Sequence, residues 1–149
     1  AMGWPSALDT GAERLAARRF ERLCLLFDPD ADGIHIGALV LLYLRRFAPD
    51  LLTQGQVWMV RAPMGLLRVA DSGSGEVSEH LAYTPEQMRA LRQHTLARGD
   101  VSMSDGMFRG LGSLPPAVLR ASCVEAATRR ADAVTAAQMQ AVLEVFGGE

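Results

Sequence analysis

The spacing of apolar and polar residues predicts alternating strands and helices in the first half of the chain. The continuous apolar run Leu23–Phe27 stops at Asp28-Pro29 and is typical of a strand that is buried on both faces. Residues 35–47 predict a helix, because apolar side chains recur there on one helical face: Ile36, Leu39, Val40, Tyr43 and Phe47. Three further leucines widen this stripe, so we expect the helix to be covered on more than one side.

After this first helix the chain is predicted to continue with strands and to end with helices. Three more strands are predicted, at Val57–Val60, Leu66–Ala70 and Val77–Tyr83. Thr84-Pro85-Glu86-Gln87 predicts a helix start, since threonine caps the first turn and proline is tolerated there. Gly99 is expected to end that helix, and further helices are predicted from about Pro116 and from the cap Thr135–Gln138. Strand–helix–strand order followed by helices indicates an α/β domain around a partly parallel sheet.

The length of 149 residues is that of one ordinary domain. Residues 1–10 show no regular spacing of apolar residues and are expected to be disordered or derived from an expression tag. The pattern of residues 12–22 predicts a helix. Residues 11–146 are expected to form a single α/β domain, with a helical C-terminal part from about residue 113. The longest apolar run is too short to span a bilayer and no signal segment opens the chain, so we expect a cytoplasmic protein with no membrane partner.

The composition excludes several classes of protein. Hydrophobic residues make up 49% of the chain, which excludes a disordered tail or a low-complexity linker. The formal net charge is −2 although 15 residues are basic, all of them arginine, so a broad cationic surface for nucleic acid is not expected. The net charge does not exclude a small cluster of arginines that contacts nucleic acid locally.

Three aspartates carry the clearest chemical signal. Asp28, Asp30 and Asp32 alternate between the first strand and the helix, at the strand end where open α/β sheets bind ligands. Carboxylates so close repel one another unless a cation compensates, and Gly33 is expected to allow the tight turn that brings them together. An EF-hand is excluded, because Leu39 occupies the position of its bidentate glutamate. The pattern predicts a bound Mg²⁺ ion whose octahedral coordination is completed by waters and a substrate phosphate. The alternative is a solvated acidic turn that binds no metal.

The segment Leu25–Arg46 resembles the acidic motif of the TOPRIM region in type IIA topoisomerase B subunits, the gyrase and topoisomerase IV family. That family places a D-x-D-x-D-G-x-H-I run between a buried strand and an apolar helix. Four later landmarks follow in the family's order: residues 48–52 with Gly55, Arg61–Met64, Phe108–Gly112, and Thr128-Arg129 with Val134-Thr135. Residues from about 22 to 146 can be laid along that region.

The resemblance implies a TOPRIM fold and the Mg²⁺-binding half of a DNA breakage–reunion centre. By this resemblance Asp28 and Asp30 are the primary metal ligands and Asp32 is the third acid. His35 matches the family histidine at the helix start, and Arg109 replaces a lysine in the glycine loop; both are candidate contacts to DNA phosphate. The family's attacking tyrosine comes from the partner A subunit. The implied partners are therefore DNA, a topoisomerase A-type subunit and the ATPase domain of the parent B subunit.

The chain also departs from the family pattern. The family's catalytic glutamate, in a Glu-Gly-Asp-Ser-Ala motif, has no counterpart in the 27 residues before Asp28, so no catalytic residue is assigned to this chain alone. Phe108 replaces a tyrosine and Gly37 an arginine. Two interpretations stay open: a fragment of a B subunit that is inactive by itself, or a degenerate stand-alone module that binds DNA or protein without catalysis. A stand-alone nuclease or primase-like enzyme would require the same glutamate.

Overall fold

The structure, a computed structural model, describes residues 20–146. In chain order its elements are β1 (Leu23–Leu26), α1 (Ala31–Phe47), α2 (Pro49–Thr53), β2 (Val57–Val60), β3 (Gly65–Asp71), β4 (Val77–Ala82), α3 (Pro85–Leu96), β5 (Val101–Met107), α4 (Pro116–Leu119), β6 (Ala131–Ala133) and α5 (Ala136–Phe146). A 3₁₀ turn, Leu111–Ser113, precedes α4 and a π-helical turn, Arg120–Val124, follows it. The mixed α/β class predicted from the sequence is confirmed.

The described residues divide into two units. The first comprises residues 20–26, 31–60 and 131–146, and the second comprises residues 27–30 and 61–130. The predicted N-terminal segment 1–10 and most of the helix predicted over 12–22 lie outside the described residues. None of the helices within residues 20–146 is long and apolar enough to cross a membrane.

The first unit is built on a three-stranded sheet in the order β1–β2–β6. β1 and β2 run parallel, with Leu23 opposite Val57, and β6 runs antiparallel to β2, with Ala133 opposite Trp58. The prediction of a partly parallel sheet is therefore confirmed. β6 was not predicted, because a strand of only three residues, two of them alanine, carries no clear strand signal.

The buried face of α1 is not the one that the apolar spacing predicts. The large apolar side chains Ile36, Leu39, Tyr43 and Phe47 are 49% to 55% exposed. The buried positions are instead Gly33, Gly37, Ala38, Leu41 and Leu44. α1 packs against α2 and α5. Three of its five buried positions are glycine or alanine, which a pattern of large apolar residues does not reveal. The expected coverage on more than one side is not met within the described residues, and Gly33 lies inside the helix rather than in a tight turn.

The second unit is built on an antiparallel sheet in the order β4–β3–β5, with α3 packed on it. Its core comprises Leu67, Val69, Ala82 and Met88. The predicted start of α3 is confirmed, because the Thr84 hydroxyl accepts a hydrogen bond from the Gln87 N–H at 3.1 Å. The predicted stop is confirmed as well, since Gly99 follows the helix with a φ of +65°, the left-handed conformation that favours glycine there.

Candidate metal and phosphate site

The Asp28 carboxylate contacts the glycine loop, which we define as residues 108–112. Asp28 lies just beyond β1, and its Oδ1 accepts a hydrogen bond from the backbone N–H of Leu111 at 2.6 Å. The two residues are 83 positions apart in the sequence and belong to the same unit. The structure therefore brings together two features that the sequence singles out separately, an aspartate of the acidic segment and the loop that carries Arg109.

The glycine loop is held by its own hydrogen bonds as well. The Ser113 hydroxyl accepts from the backbone N–H groups of Arg109 at 3.0 Å and Gly110 at 3.3 Å, and it donates to the Gly110 carbonyl at 2.7 Å. Leu114, just beyond, is buried. The sequence did not predict that Ser113 holds this loop.

Gly110 allows the loop to approach Asp28 this closely. A Cβ atom added at Gly110 would lie 3.0 Å from Oδ1, 3.1 Å from Cγ and 3.2 Å from Oδ2 of Asp28. Those distances are shorter than ordinary van der Waals contacts, so any side chain here would push against the carboxylate. A Cβ at Gly112 would meet nothing within 4 Å. The close approach thus depends on the first glycine of the loop and not on the second.

The other predicted site residues are distributed over both units. Asp30 lies exposed in the same short segment as Asp28. Asp32 lies in the first turn of α1, where a carboxylate suits the positive end of the helix dipole. His35, also on α1, contacts Phe146 of α5 edge-on, with the ring centroids 5.4 Å apart. Arg109 has an exposed side chain and no carboxylate partner among the described residues.

The chemistry of the acidic segment fits a hard divalent cation. Carboxylate oxygens are the ligands that Mg²⁺ takes from proteins, usually one or two of them, with waters and phosphate oxygens completing the octahedron. Within residues 20–146 no group of three or more His, Cys, Asp or Glu side chains is close enough to enclose a metal. Among these residues the structure therefore does not gather Asp28, Asp30 and Asp32 into one cluster of that kind, and an open Mg²⁺ site with few protein ligands stays a prediction.

A second aspartate in the same unit also binds backbone N–H groups. Asp71 Oδ1 accepts from the N–H of Ser74 at 2.8 Å, the N–H of Gly73 at 2.9 Å and the Ser74 hydroxyl at 3.1 Å. The backbone hydrogen bond from Ser74, followed by that from Gly73, lowers the pKa of Asp71 from its ordinary value, because both favour the charged carboxylate. Asp71 closes a turn within its own segment, whereas Asp28 reaches a distant one.

A cavity of about 640 Å³ lies elsewhere, in the first unit. Its walls come from the end of α1, from α2 and from the start of α5, and they include Arg45, Leu52 and Met139. None of the predicted metal or phosphate residues lines it. The candidate site is therefore defined by the contact between Asp28 and the glycine loop and not by the concave surface of the first unit.

Sequence similarity to known proteins extends over most of the chain. The B subunit of DNA topoisomerase 4 from Francisella tularensis subsp. holarctica is 26% identical over 123 residues, which cover 83% of this chain and 18% of that protein. The corresponding protein of Pseudomonas aeruginosa is 31% identical over 145 residues, covering 93% and 21%. The B subunit of DNA gyrase from Streptomyces coelicolor is 29% identical over 152 positions, covering 97% and 21%. No protein-family model matches the chain.

The similarity covers most of this chain but only part of each relative. The chain spans about a fifth of the length of these relatives. The acidic motif and the later landmarks predict a relationship to a region of type IIA topoisomerase B subunits, and that prediction is confirmed.

Proposed function

We propose that this chain is the Mg²⁺-binding TOPRIM region of a type IIA DNA topoisomerase B subunit. In this proposal it contributes to DNA cleavage and religation together with a partner A subunit. The observation that carries the proposal is the hydrogen bond between Asp28 and Leu111, because it brings a predicted metal ligand to the loop that bears a predicted phosphate contact. Similarity to topoisomerase B subunits over most of the chain supports it.

The residues have distinct roles in this proposal. Asp28 and Asp30 supply carboxylate oxygens to the cation, and Asp32 is the third acid. Bound Mg²⁺ would act as a Lewis acid at the scissile phosphate and stabilise charge on its oxygens. Arg109 donates hydrogen bonds to a phosphate of the DNA backbone, which a guanidinium can do in a bidentate manner. His35, which lies on the second turn of α1, is a second phosphate contact.

The chain needs other components to complete this chemistry. The attacking tyrosine, the glutamate and the ATPase domain are supplied in this proposal by a topoisomerase A-type subunit and by the rest of the parent B subunit. The chain alone is accordingly proposed to be inactive in cleavage. A topoisomerase of this kind would act in the bacterial cytoplasm, associated with the nucleoid.

A degenerate module that binds DNA or protein without catalysis is the second candidate. One observation favours it: the hydrogen bond from Leu111 gives Asp28 a structural role that persists without any metal. In that case the acidic segment would be a scaffold for the glycine loop, and Arg109 would contact a phosphate or a partner carboxylate by itself.

Titration with Mg²⁺ and with Mn²⁺ separates the two candidates. Calorimetry and NMR on the full 149-residue chain are expected to give weak, millimolar binding, since a site with two or three protein ligands keeps most of its waters. Asp30→Asn is expected to abolish that binding, because it removes one of the two primary carboxylates and leaves the size of the side chain unchanged.

Asp100→Asn is the matched control. Asp100 precedes β5 at the end opposite the glycine loop, and its φ of +31° is one that asparagine tolerates. The variant removes one negative charge from the same unit and should leave the metal affinity unchanged. Absence of binding to the unmodified chain at millimolar metal, or equal binding by Asp30→Asn, would contradict the metal role and favour the second candidate.

A further inference from the structure

We propose that Asp28 is a positioning residue for the loop that bears Arg109, in addition to being a metal ligand. One carboxylate oxygen holds the backbone of the glycine loop, and the remaining lone pairs are left for the cation. The metal part of this inference rests on the proposed function, whereas the positioning part stands on the geometry of the chain alone. Occupancy of the metal and the position of Arg109 would then depend on one another.

The hydrogen bond satisfies a donor that the turn itself cannot. Leu111 begins the 3₁₀ turn Leu111–Ser113, and the first N–H groups of a helical turn have no partner within it. A carboxylate is the strongest acceptor that a side chain can offer such a group, and the distance of 2.6 Å is at the short end for such bonds. Asp28 therefore acts at this point as a cap supplied from a distant segment of the chain.

The backbone on both sides of the Arg109 carbonyl is held by side-chain oxygens. The Ser113 hydroxyl holds the N–H groups of Arg109 and Gly110, and the Asp28 carboxylate holds the N–H of Leu111. Three consecutive N–H groups thus have fixed directions. The Arg109 side chain starts from an ordered backbone, which reduces the conformational entropy lost when its guanidinium binds an anion.

The same carboxylate can bind a cation without releasing the loop. An ionised carboxylate has about four lone-pair sites, and among the described residues Leu111 is the one hydrogen-bond donor that it meets. Carboxylates that ligate metals are themselves usually oriented by hydrogen bonds, and loss of such a partner typically costs about 10–100-fold in metal affinity. The loop should therefore raise the metal affinity of Asp28 by fixing its rotamer.

The positioning role is tested in metal-free protein by amide hydrogen exchange at Leu111. Asp28→Ala removes the acceptor and is expected to accelerate exchange at Leu111 roughly tenfold. Asp28→Asn keeps a side-chain oxygen at the same place and should restore most of the protection. Unchanged exchange at Leu111 in Asp28→Ala would overturn the positioning role, whatever the chain does with metals.

The coupling to the metal is tested by two alanine substitutions in the glycine loop that leave every carboxylate in place. Gly110→Ala sets a Cβ about 3.0 Å from Asp28 Oδ1 and pushes the carboxylate away, whereas Gly112→Ala adds one where nothing lies within 4 Å. Mn²⁺ affinity, measured by paramagnetic broadening, is expected to fall roughly tenfold in Gly110→Ala and to stay unchanged in Gly112→Ala. Equal affinities in the two variants would overturn the coupling.

Leu111 exchange and Mn²⁺ affinity test the positioning role and the metal function separately. If the unmodified chain binds no Mn²⁺ while Leu111 exchange responds to Asp28→Ala, the proposed metal function fails and the positioning role holds. If Mn²⁺ binds and is lost in Asp30→Asn while Leu111 exchange is insensitive to Asp28, the metal function holds and the positioning role fails.

Discussion

Asp28 and Asp71, both in the second unit, each bind backbone N–H groups through a carboxylate oxygen, but they connect different parts of the chain. Each carboxylate accepts hydrogen bonds from backbone N–H groups of a segment that contains glycine. Asp71 finds its donors within three residues, whereas Asp28 finds its donor 83 residues away. A local carboxylate closes a turn, and a distant one joins two parts of the chain.

The number of donors separates the two carboxylates further. Asp71 Oδ1 accepts three hydrogen bonds from its own turn, an arrangement common for aspartate before glycine and serine. Asp28 Oδ1 accepts one from Leu111, which leaves room for another partner. Carboxylates that touch backbone N–H groups are therefore not equivalent as candidate ligands, and a count of their donors is informative.

β3 connects the two places. Asp71 ends β3 and pairs with Val101 at the start of β5, whereas Gly65 begins β3 and pairs with Met107, just before the glycine loop. The Phe108 N–H also donates to the Met64 carbonyl at 2.8 Å. The two ends of one strand thus support the two carboxylate contacts, and each end can be disturbed separately.

The largest effect is expected from Gly65→Ala, at the end that leads to the glycine loop. A Cβ there would lie 2.6 Å from the Met88 Cε and 3.0 Å from the Gly106 carbonyl oxygen, so the buried Met88 side chain must move and the β5 backbone must shift slightly. We expect a loss of about 1–3 kcal/mol in the free energy of unfolding, measured by urea denaturation. Gly73→Ala, at the other end, meets its nearest atom at 3.4 Å and should cost less than about 0.5 kcal/mol. Equal losses of unfolding free energy in Gly65→Ala and Gly73→Ala would contradict the expectation that the two ends of β3 can be disturbed separately.

A smaller and more local effect is expected from Asp71→Ala. The variant removes the acceptor of the Gly73 and Ser74 N–H groups, so exchange at these two amides should rise roughly tenfold. The Leu111 amide should not respond, because its acceptor is Asp28. NMR-detected hydrogen exchange measures all three amides in one sample. A response at Leu111 would mean that the two contacts are coupled through β3.

The smallest effect is expected in the acid dependence of stability. The pKa of Asp71 lies below its ordinary value of 3.8 in the folded chain, so Asp71 stabilises the fold above that value. This contribution is lost as the pH falls through the lower, folded pKa, because the unfolded chain binds the proton more tightly. A carboxyl-carbon NMR titration should place the Asp71 midpoint below 3.8, and Asp71→Asn should remove its share of the acid dependence. A midpoint at or above 3.8 would contradict the assignment.

Local signals in the sequence predicted most elements of the fold. The strand β1, the cap at Thr84 and the cap at Thr135 each depend on residues close together in the chain, and all three are confirmed. The expected burial of β1 on both faces is not met among the described residues, because β1 is an outer strand of its sheet and only Leu25 is buried. β5 was missed because its apolar alternation is short: Val101 and Met103 alternate with serines, but Asp105-Gly106 interrupts the pattern and most of the strand is exposed. The predicted buried face of α1 was wrong because Gly33, Gly37 and Ala38 share that face with Leu41 and Leu44, and small residues carry no apolar signal.

The candidate site was predicted only in its separate parts. The acidic segment and the glycine loop were both recognised from their residues, and the similarity to topoisomerase B subunits is confirmed. The contact between Asp28 and Leu111 could not be predicted, because the two residues are 83 positions apart and neither segment carries a local pattern that indicates its distant partner. The anchoring role of Ser113 was equally hidden, since serine is common in loops of every kind.

The contact between Asp28 and Leu111 also bears on the order in which the chain folds. Closing a loop of 83 residues costs chain entropy on the order of 4 kcal/mol, more than one exposed hydrogen bond returns. We therefore expect this contact to form late in folding and to open early, so that the candidate site is lost by local opening before the sheets unfold.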